Sequence, residues 1–354
     1  MADAGPAAGP RPAPRPAAGG PEDRRVGARL KRPPWPRPQS LIPAVIGIAA
    51  VATLIAVLNP GQFARSVAGF RVWSVPGILA LSMLYYLLQG LRWQPLLRAV
   101  GVRLPLSRTL LLNLAGQATG LLPLGEFTRA VLVSEASGAE FGTVVATITV
   151  QELVYTLIII AAAIPGALEH PAAAGGVIAA LAGTVLVLLI LTVRSLFDPV
   201  IGVVRRIPLA RTIVPQALEL QRDTVALLRR WDTWAWSVLS VAGALVAITL
   251  FWLVVSSLKP GFVSWQDAAF VYAVSHVVGA ISLSPGGLGG FEASAAGLLI
   301  LVGLGPGTAA AAALVQRGAD KGVATIAGLG AFMVARRRYS FVGRDLFRRP
   351  AASG

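Results

Sequence analysis

"SLSPGGLGGFEAS", Ser282–Ser294, places four glycines and a proline inside one of the most apolar parts of the chain. Such a run breaks a helix where an apolar segment most needs one. It also carries a carboxylate, Glu292. The surrounding stretch, Trp265–Leu304, is otherwise apolar. A second apolar stretch, Leu104–Glu135, is broken in the same manner at "TGLLPLGEFTRA", Thr119–Ala130. Two interrupted apolar segments mark the fold as one that needs non-helical backbone at depth.

The composition says what that depth is. Of 354 residues, 55% are hydrophobic and only 13% charged. The mean hydropathy is +0.70. A soluble domain carries about 25% charged residues. Several windows of roughly 18 to 25 residues hold little or no charge, enough to cross a hydrocarbon layer of ~30 Å. The reading is an all-α, polytopic transmembrane helical bundle with two broken or re-entrant elements. A β-barrel would show short alternating segments instead.

Three domains are expected. Residues 1–40 form a Pro/Ala/Gly/Arg tract that cannot bury a core. Residues 41–338 form the membrane domain, and 339–354 a basic tail. The first span is Leu41–Leu58, read as retained rather than cleaved. Further spans are expected over Val75–Leu97, Thr143–Ala163, Ala172–Val193 and Trp236–Leu258. More apolar chain follows over Pro306–Val334. The basic segment Arg194–Arg230 reads as one amphipathic helix on the membrane surface. "WDTWAWS", Trp231–Ser237, supplies an aromatic belt.

The net charge is +15. Its arginines gather in the tails and in the Arg98–Arg108 and Arg194–Arg230 segments, a positive-inside pattern rather than a nucleic-acid footprint. It predicts an inner-membrane protein with both termini cytoplasmic. On that topology the two broken stretches enter from opposite faces. "GLLPLGE" (Gly120–Glu126) and "SLSPGGLG" (Ser282–Gly289) resemble each other, which fits an inverted repeat. A short chance similarity fits equally.

Broken backbone in a membrane must be buried in protein or line a wet cavity. Free N–H groups after a break favour an anion. Ser284, Pro285, Gly286, Gly287 and Gly289 would form such a cradle; the plainer alternative is glycines used for tight helix packing. Ionisable residues at membrane depth are costly and point to function. Glu292, Glu126, Arg129, Arg92 and Arg317 are of this kind. Arg129 lies one turn from Glu126, in reach of an ion pair. Asn113, Gln117, Pro123 and Gly125 complete the substrate-binding set around the first break. Glu152 and His276 are proton-linked candidates.

Cysteine is absent, which removes disulfide and thiolate chemistry. No G-x-x-x-x-G-K-[ST], H-E-x-x-H or G-x-S-x-G motif occurs, so the sequence offers no sign of an ATPase, zincin or serine hydrolase. No cofactor or metal is expected, and the chain is not read as an enzyme.

Three segments carry a resemblance. "GLRWQPLLRAVGVRLPLSRTLLLNLAGQATGLLPLGEFTRAVLVSE", then "SPGGLGGFEASAAGLL", then "AAALVQRGADKGVATIAGLGAF" resemble the lysylphosphatidylglycerol synthase transmembrane, or flippase-like, family over roughly residues 41–338. The Pro-Gly-Gly-Leu-Gly-x-Phe-Glu block, Pro285 to Glu292, is its most specific part. Arg92-Trp93 and the block ending at Arg129 match more loosely. The chain departs at Gln151, Glu152 and Tyr155, where the family shows Glu-Arg and a later Asp. The resemblance implies a membrane region that moves an anionic or aminoacylated phospholipid, or another lipid-linked amphiphile, between leaflets. It does not imply the soluble synthase activity. The partners expected are anionic membrane lipids, with a membrane enzyme or a second copy as protein partner. The alternative is a non-transporting scaffold for an envelope-lipid enzyme.

Overall fold

The structure is a computed structural model that describes residues 60–120, 125–206, 213–282 and 287–339. Leu41–Leu58, Pro123, Ser284, Pro285 and Gly286 lie outside the described residues, as do the tract 1–40 and the tail after Tyr339. Among the described residues every regular element is helical.

α1 (Pro60–Ala68) leads into α2 (Val75–Ala99), α3 (Leu106–Gly116), α4 (Thr128–Ser137) and α5 (Phe141–Glu169). α6 (Pro171–Thr192), α7 (Arg194–Arg206) and α8 (Val214–Leu228) follow. The remainder is α9 (Trp231–Trp236), α10 (Val238–Leu258), α11 (Trp265–Ile281), α12 (Gly290–Leu301), α13 (Pro306–Arg317) and α14 (Val323–Arg338). Four stretches are long and apolar enough to cross a membrane: Val72–Ala99, Phe141–Glu169, Gly175–Thr192 and Trp231–Leu258. They match the expected spans that lie within the described residues. Prolines near the starts of α2, α6 and α13 occupy first-turn positions, where a missing N–H breaks no bond.

α5 is the axis of the bundle, packed against α11, α8, α6 and α10, while α2 packs on α10 and α3, and α14 on α3. It runs past the expected end at Ala163, through Pro165, because the helix there is clamped from the side. A Cβ on Gly166 would lie 2.3 Å from the Gln266 carbonyl oxygen at the start of α11. In lipid, apolar side chains gain little by leaving the solvent, so close contact must hold helices together. α13 shows this: Ala309–Ala313 are all fully buried. Trp93, Tyr155, Phe251 and Phe270 fill the larger gaps.

Both breaks are present. At the first, α3 ends in a 3₁₀ turn, Gln117–Thr119, and the chain resumes in another, Gly125–Phe127, before α4. Thr119 Oγ1 lies 3.0 Å from the Gly125 carbonyl oxygen and 2.7 Å from Thr128 Oγ1, tying the two ends. Gly116 lets α4 cross α3 at close range, since a Cβ there would sit 2.4 Å from Arg129 Cβ. At the second break, α11 ends at Ile281 and the chain resumes at Gly287. Gly287 (φ +72°) and Gly289 (φ +84°) adopt left-handed backbone, a conformation that favours glycine.

The Arg194–Arg230 segment differs from the single surface helix expected. It forms two helices: Phe197 and Ile201 of α7 cluster with Val214 of α8, and α8 packs along α5. Part of its apolar face is therefore spent on protein, while Leu196, Val200 and Val203 of α7 remain exposed. The Pro306–Val334 stretch is also two helices, joined by a π-helical turn, Gly318–Gly322.

Candidate functional site

The first break carries a buried polar cluster. α2 supplies Gln89, Arg92 and Trp93; α3 supplies Asn113, followed by Gln117; α4 supplies Arg129; α5 supplies Gln151, Glu152 and Tyr155. Arg129 is 4% exposed. Its Nη2 donates to Glu152 Oε1 at 3.1 Å, and its Nη1 to Asn113 Oδ1 at 3.3 Å and Gln151 Oε1 at 3.5 Å. Gln89 Oε1 accepts from Asn113 Nδ2 and Gln117 Nε2, each at 3.3 Å. Gln151 Nε2 donates to the Gln89 carbonyl at 2.8 Å. The amides thus hold the Arg129 guanidinium in a fixed pose.

Arg92, 3% exposed, is held more loosely. Its Nη2 lies 3.8 Å from Glu152 Oε1, outside hydrogen-bond range. Its guanidinium carbon stands 5.1 Å from the centroid of the Tyr155 ring, and that of Arg129 5.3 Å from the Trp93 ring. Trp93 is itself fixed by its indole N–H to Thr147 Oγ1 at 2.7 Å. Aromatic faces offset part of the cost of burying a guanidinium. Among the described residues, two guanidiniums share one carboxylate here, a surplus of positive charge.

The second break is arranged otherwise. Glu292 is fully buried. Its Oε2 accepts the Gly289 N–H at 2.6 Å, closing the start of α12, and its Oε1 lies 2.7 Å from Arg317 Nε. Here one guanidinium and one carboxylate meet directly. Gly287 packs on α11, where a Cβ would meet the Gly279 carbonyl oxygen at 3.1 Å.

An aromatic bridge runs between the clusters. Tyr155 and Tyr272 share a hydrogen bond of 2.9 Å between their hydroxyls. Phe291 stands 6.2 Å from Tyr272, ring to ring, and 5.5 Å from the Arg317 guanidinium. His276 lies against Tyr155 and Tyr272, with centroids 5.4 and 5.9 Å away. Asp320, in the π-helical turn, accepts from the Tyr86 hydroxyl at 2.6 Å.

Of the residues singled out by sequence, Arg92, Asn113, Gln117, Arg129 and Glu152 come together. Glu292 and Arg317 meet separately, with Gly287 and Gly289 beside them, and His276 joins the bridge. Gly125 forms the turn that closes the first break; the Glu126 side chain lies outside the described positions. Among the described residues, the carboxylate partner of Arg129 is Glu152, across helices. Sequence reasoning missed the bridge and the role of Trp93. Tyrosines in apolar spans were the available signal. Among the described residues no three His, Asp or Glu side chains gather as metal ligands.

No curated relative matches the chain. A family-level comparison matches residues 41–328 to the lysylphosphatidylglycerol synthase TM region. That match covers most of the sequence and both broken elements with their charged clusters, and the chain belongs to that family.

Proposed function

We propose that the protein moves an anionic or aminoacylated phospholipid, or a similar lipid-linked amphiphile, between membrane leaflets. The observation that carries this reading is the Arg92–Glu152–Arg129 cluster. A surplus positive charge inside a membrane bundle costs about 2.5–3.5 kcal/mol on insertion scales, and an anionic headgroup would neutralise it. The acyl chains would remain in lipid. Arg129, held by Asn113 and Gln151, is the fixed part of the site; Gln117 and the turn at Gly125 shape its edge. Glu152 pairs with arginine when the site is empty of ligand and gives way to phosphate when it is filled. Glu152, Glu292 and His276 are the groups that could couple transport to protons.

The arrangement of arginines supports a topology with both termini on the cytoplasmic side of an inner membrane. The Pro/Ala-rich tract and basic tail flank the membrane domain as separate segments. On that topology the two breaks enter from opposite faces as an inverted pair.

The test is a leaflet-resolved exchange assay in proteoliposomes with head-labelled phosphatidylglycerol. Arg129→Gln should cut exchange by at least about tenfold, the loss of one charge-assisted contact. Exchange no faster than in protein-free vesicles, or an Arg129→Gln protein as active as wild type, would refute the reading.

A non-transporting scaffold for an envelope-lipid enzyme is favoured by one observation: at the second break, Glu292 and Arg317 form a buried ion pair and Gly287 packs on α11. Co-purification of such an enzyme, with no exchange activity, would support it.

A further inference from the structure

Arg92 is buried, yet its Nε and Nη2 have no hydrogen-bond partner. These two nitrogens form one edge of the guanidinium. That edge presents parallel N–H groups, the geometry that clasps two oxygens of a phosphate. Arg92 lines a pocket between α2, α5 and the α9–α10 junction, shared with Gln151, Thr233, Trp236, Ser237 and Ser240. Thr233 is 4% exposed, and its hydroxyl oxygen is likewise buried without a partner. Two residues from different helices, each with a buried polar group that lacks a hydrogen-bond partner, therefore line one pocket. Leaving either unmet in a native interior is costly.

The mouth indicates the rest of the ligand. Trp236 is 51% exposed at its rim, beside Trp231 and Trp234, which are also exposed. α10 leads away with exposed Val238, Val241 and Leu245, an apolar strip at helical spacing. A free phosphate would have no use for that strip. Acyl chains would lie along it.

We infer that this pocket is a docking subsite for the phosphate of an anionic phospholipid, held by the Nε/Nη2 edge of Arg92 and the Thr233 hydroxyl, with its acyl chains along α10. This deepens the translocase reading and rests on it. Arg92 would receive the headgroup at the α9–α10 side, and Glu152, within 3.8 Å of its Nη2, stands between it and Arg129.

Trp236 supplies the probe. Phosphatidylglycerol with brominated acyl chains would be titrated into the detergent-solubilised full chain, with brominated phosphatidylcholine as comparison. The quenching lost in Trp236→Phe isolates the pocket signal. The anionic lipid should quench at a lower mole fraction than the zwitterionic one. Thr233→Val should raise its midpoint about threefold, and Arg92→Gln about tenfold. Thr233→Val keeps shape and the Glu152 contacts, so it remains informative if Arg92→Gln folds poorly. Identical midpoints in wild type and Thr233→Val would overturn the subsite. A soluble source has its own arm: if inorganic phosphate raises the melting temperature of wild type but not of Arg92→Gln, and the quenching shows no lipid preference, the lipid assignment falls. Selective quenching with no leaflet exchange would sink the translocase reading and leave the subsite standing. Normal exchange with unshifted midpoints would do the reverse.

Discussion

The two breaks use similar sequence for opposite electrostatic ends. Each has proline and glycine, then a glutamate, within an apolar stretch. At the second, Glu292 closes its own helix start and pairs with Arg317. At the first, Arg129 and Arg92 both turn to Glu152, whose side chain is 34% exposed, while that of Glu292 is 1% exposed. A sealed, balanced pair braces the fold. A partly open, unbalanced one keeps charge for something else. The difference teaches that a broken membrane helix is a structural device first; only the balance of charges around it tells whether it is also a site.

The largest expected effect breaks the sealed pair. Glu292→Gln takes the carboxylate away from Arg317 and from the α12 start. Losing one member of a buried pair costs about 3–5 kcal/mol, so the variant should melt far below wild type in detergent. The double variant Glu292→Gln/Arg317→Met should recover part of the loss, a coupling of ~1 kcal/mol or more. Thermal unfolding of the four proteins of this cycle measures it. Additive effects would show that the pair does not brace the fold.

The corresponding change at the open cluster should behave differently. Glu152→Gln removes the carboxylate that both guanidiniums face, but with the Glu152 side chain 34% exposed the site is not sealed. Its melting temperature should fall less than that of Glu292→Gln. Adding phosphatidylglycerol should restore it, because the lipid replaces the lost negative charge. The same lipid should do nothing for Glu292→Gln. Equal rescue of both variants would erase the distinction between the two breaks.

How much of this was legible in the sequence follows from the same contrast. The spans were, because runs without charge have few other uses. The breaks were, because Pro285 and the glycines around it cannot continue a helix. The charged residues stood out as costly exceptions. Their partners did not. Arg129 has Glu126 one turn away, yet its guanidinium reaches Glu152, because Gly116 lets α4 cross α3 and turns that face toward α5. Nothing local encodes that crossing. Tyr155 and Tyr272 each read as an aromatic in an apolar run, and only the packing of α5 on α11 joins them. Thr233 was hidden for a similar reason. It sits among tryptophans that mark a membrane interface, and its link to Arg92 depends on where α9 lies beside α2.

That crossing gives a prediction of intermediate size. Gly116→Ala puts a methyl against Arg129 and should force α4 away from α3. Overpacking of this kind costs about 1–3 kcal/mol, and it should lower leaflet exchange as well as stability, since Arg129 moves with the helix. Gly297→Ala is the control at the second break. It lies on the exposed side of α12, where a Cβ meets nothing within 4 Å. It should leave stability unchanged or raise it by up to ~1 kcal/mol, with exchange unaffected. If both alanines prove equally harmless, close approach at the first break does not set the position of Arg129.

The smallest effect calibrates the other three with an ion pair outside both breaks. Asp223 on α8 accepts from Thr143 at 2.6 Å, tying α8 to α5, and from Arg222 at 2.9 Å. Partial burial pushes the Asp223 carboxyl up, but the Arg222 and Thr143 hydrogen bonds outweigh it and hold the carboxyl below the usual carboxylate range. The sign follows: a depressed carboxyl stabilises the fold above the unfolded value, about 3.9, and that contribution fades as pH falls through the lower folded value. Wild type should therefore melt slightly above Asp223→Asn at neutral pH, with the gap closing as the pH drops below about 4. Arg222 is 67% exposed, so solvent and salt should shrink the gap further. A gap that widens in acid would mean that burial, not hydrogen bonding, governs this carboxylate. In that case the anchoring of α8 to α5 would rest on apolar contact alone.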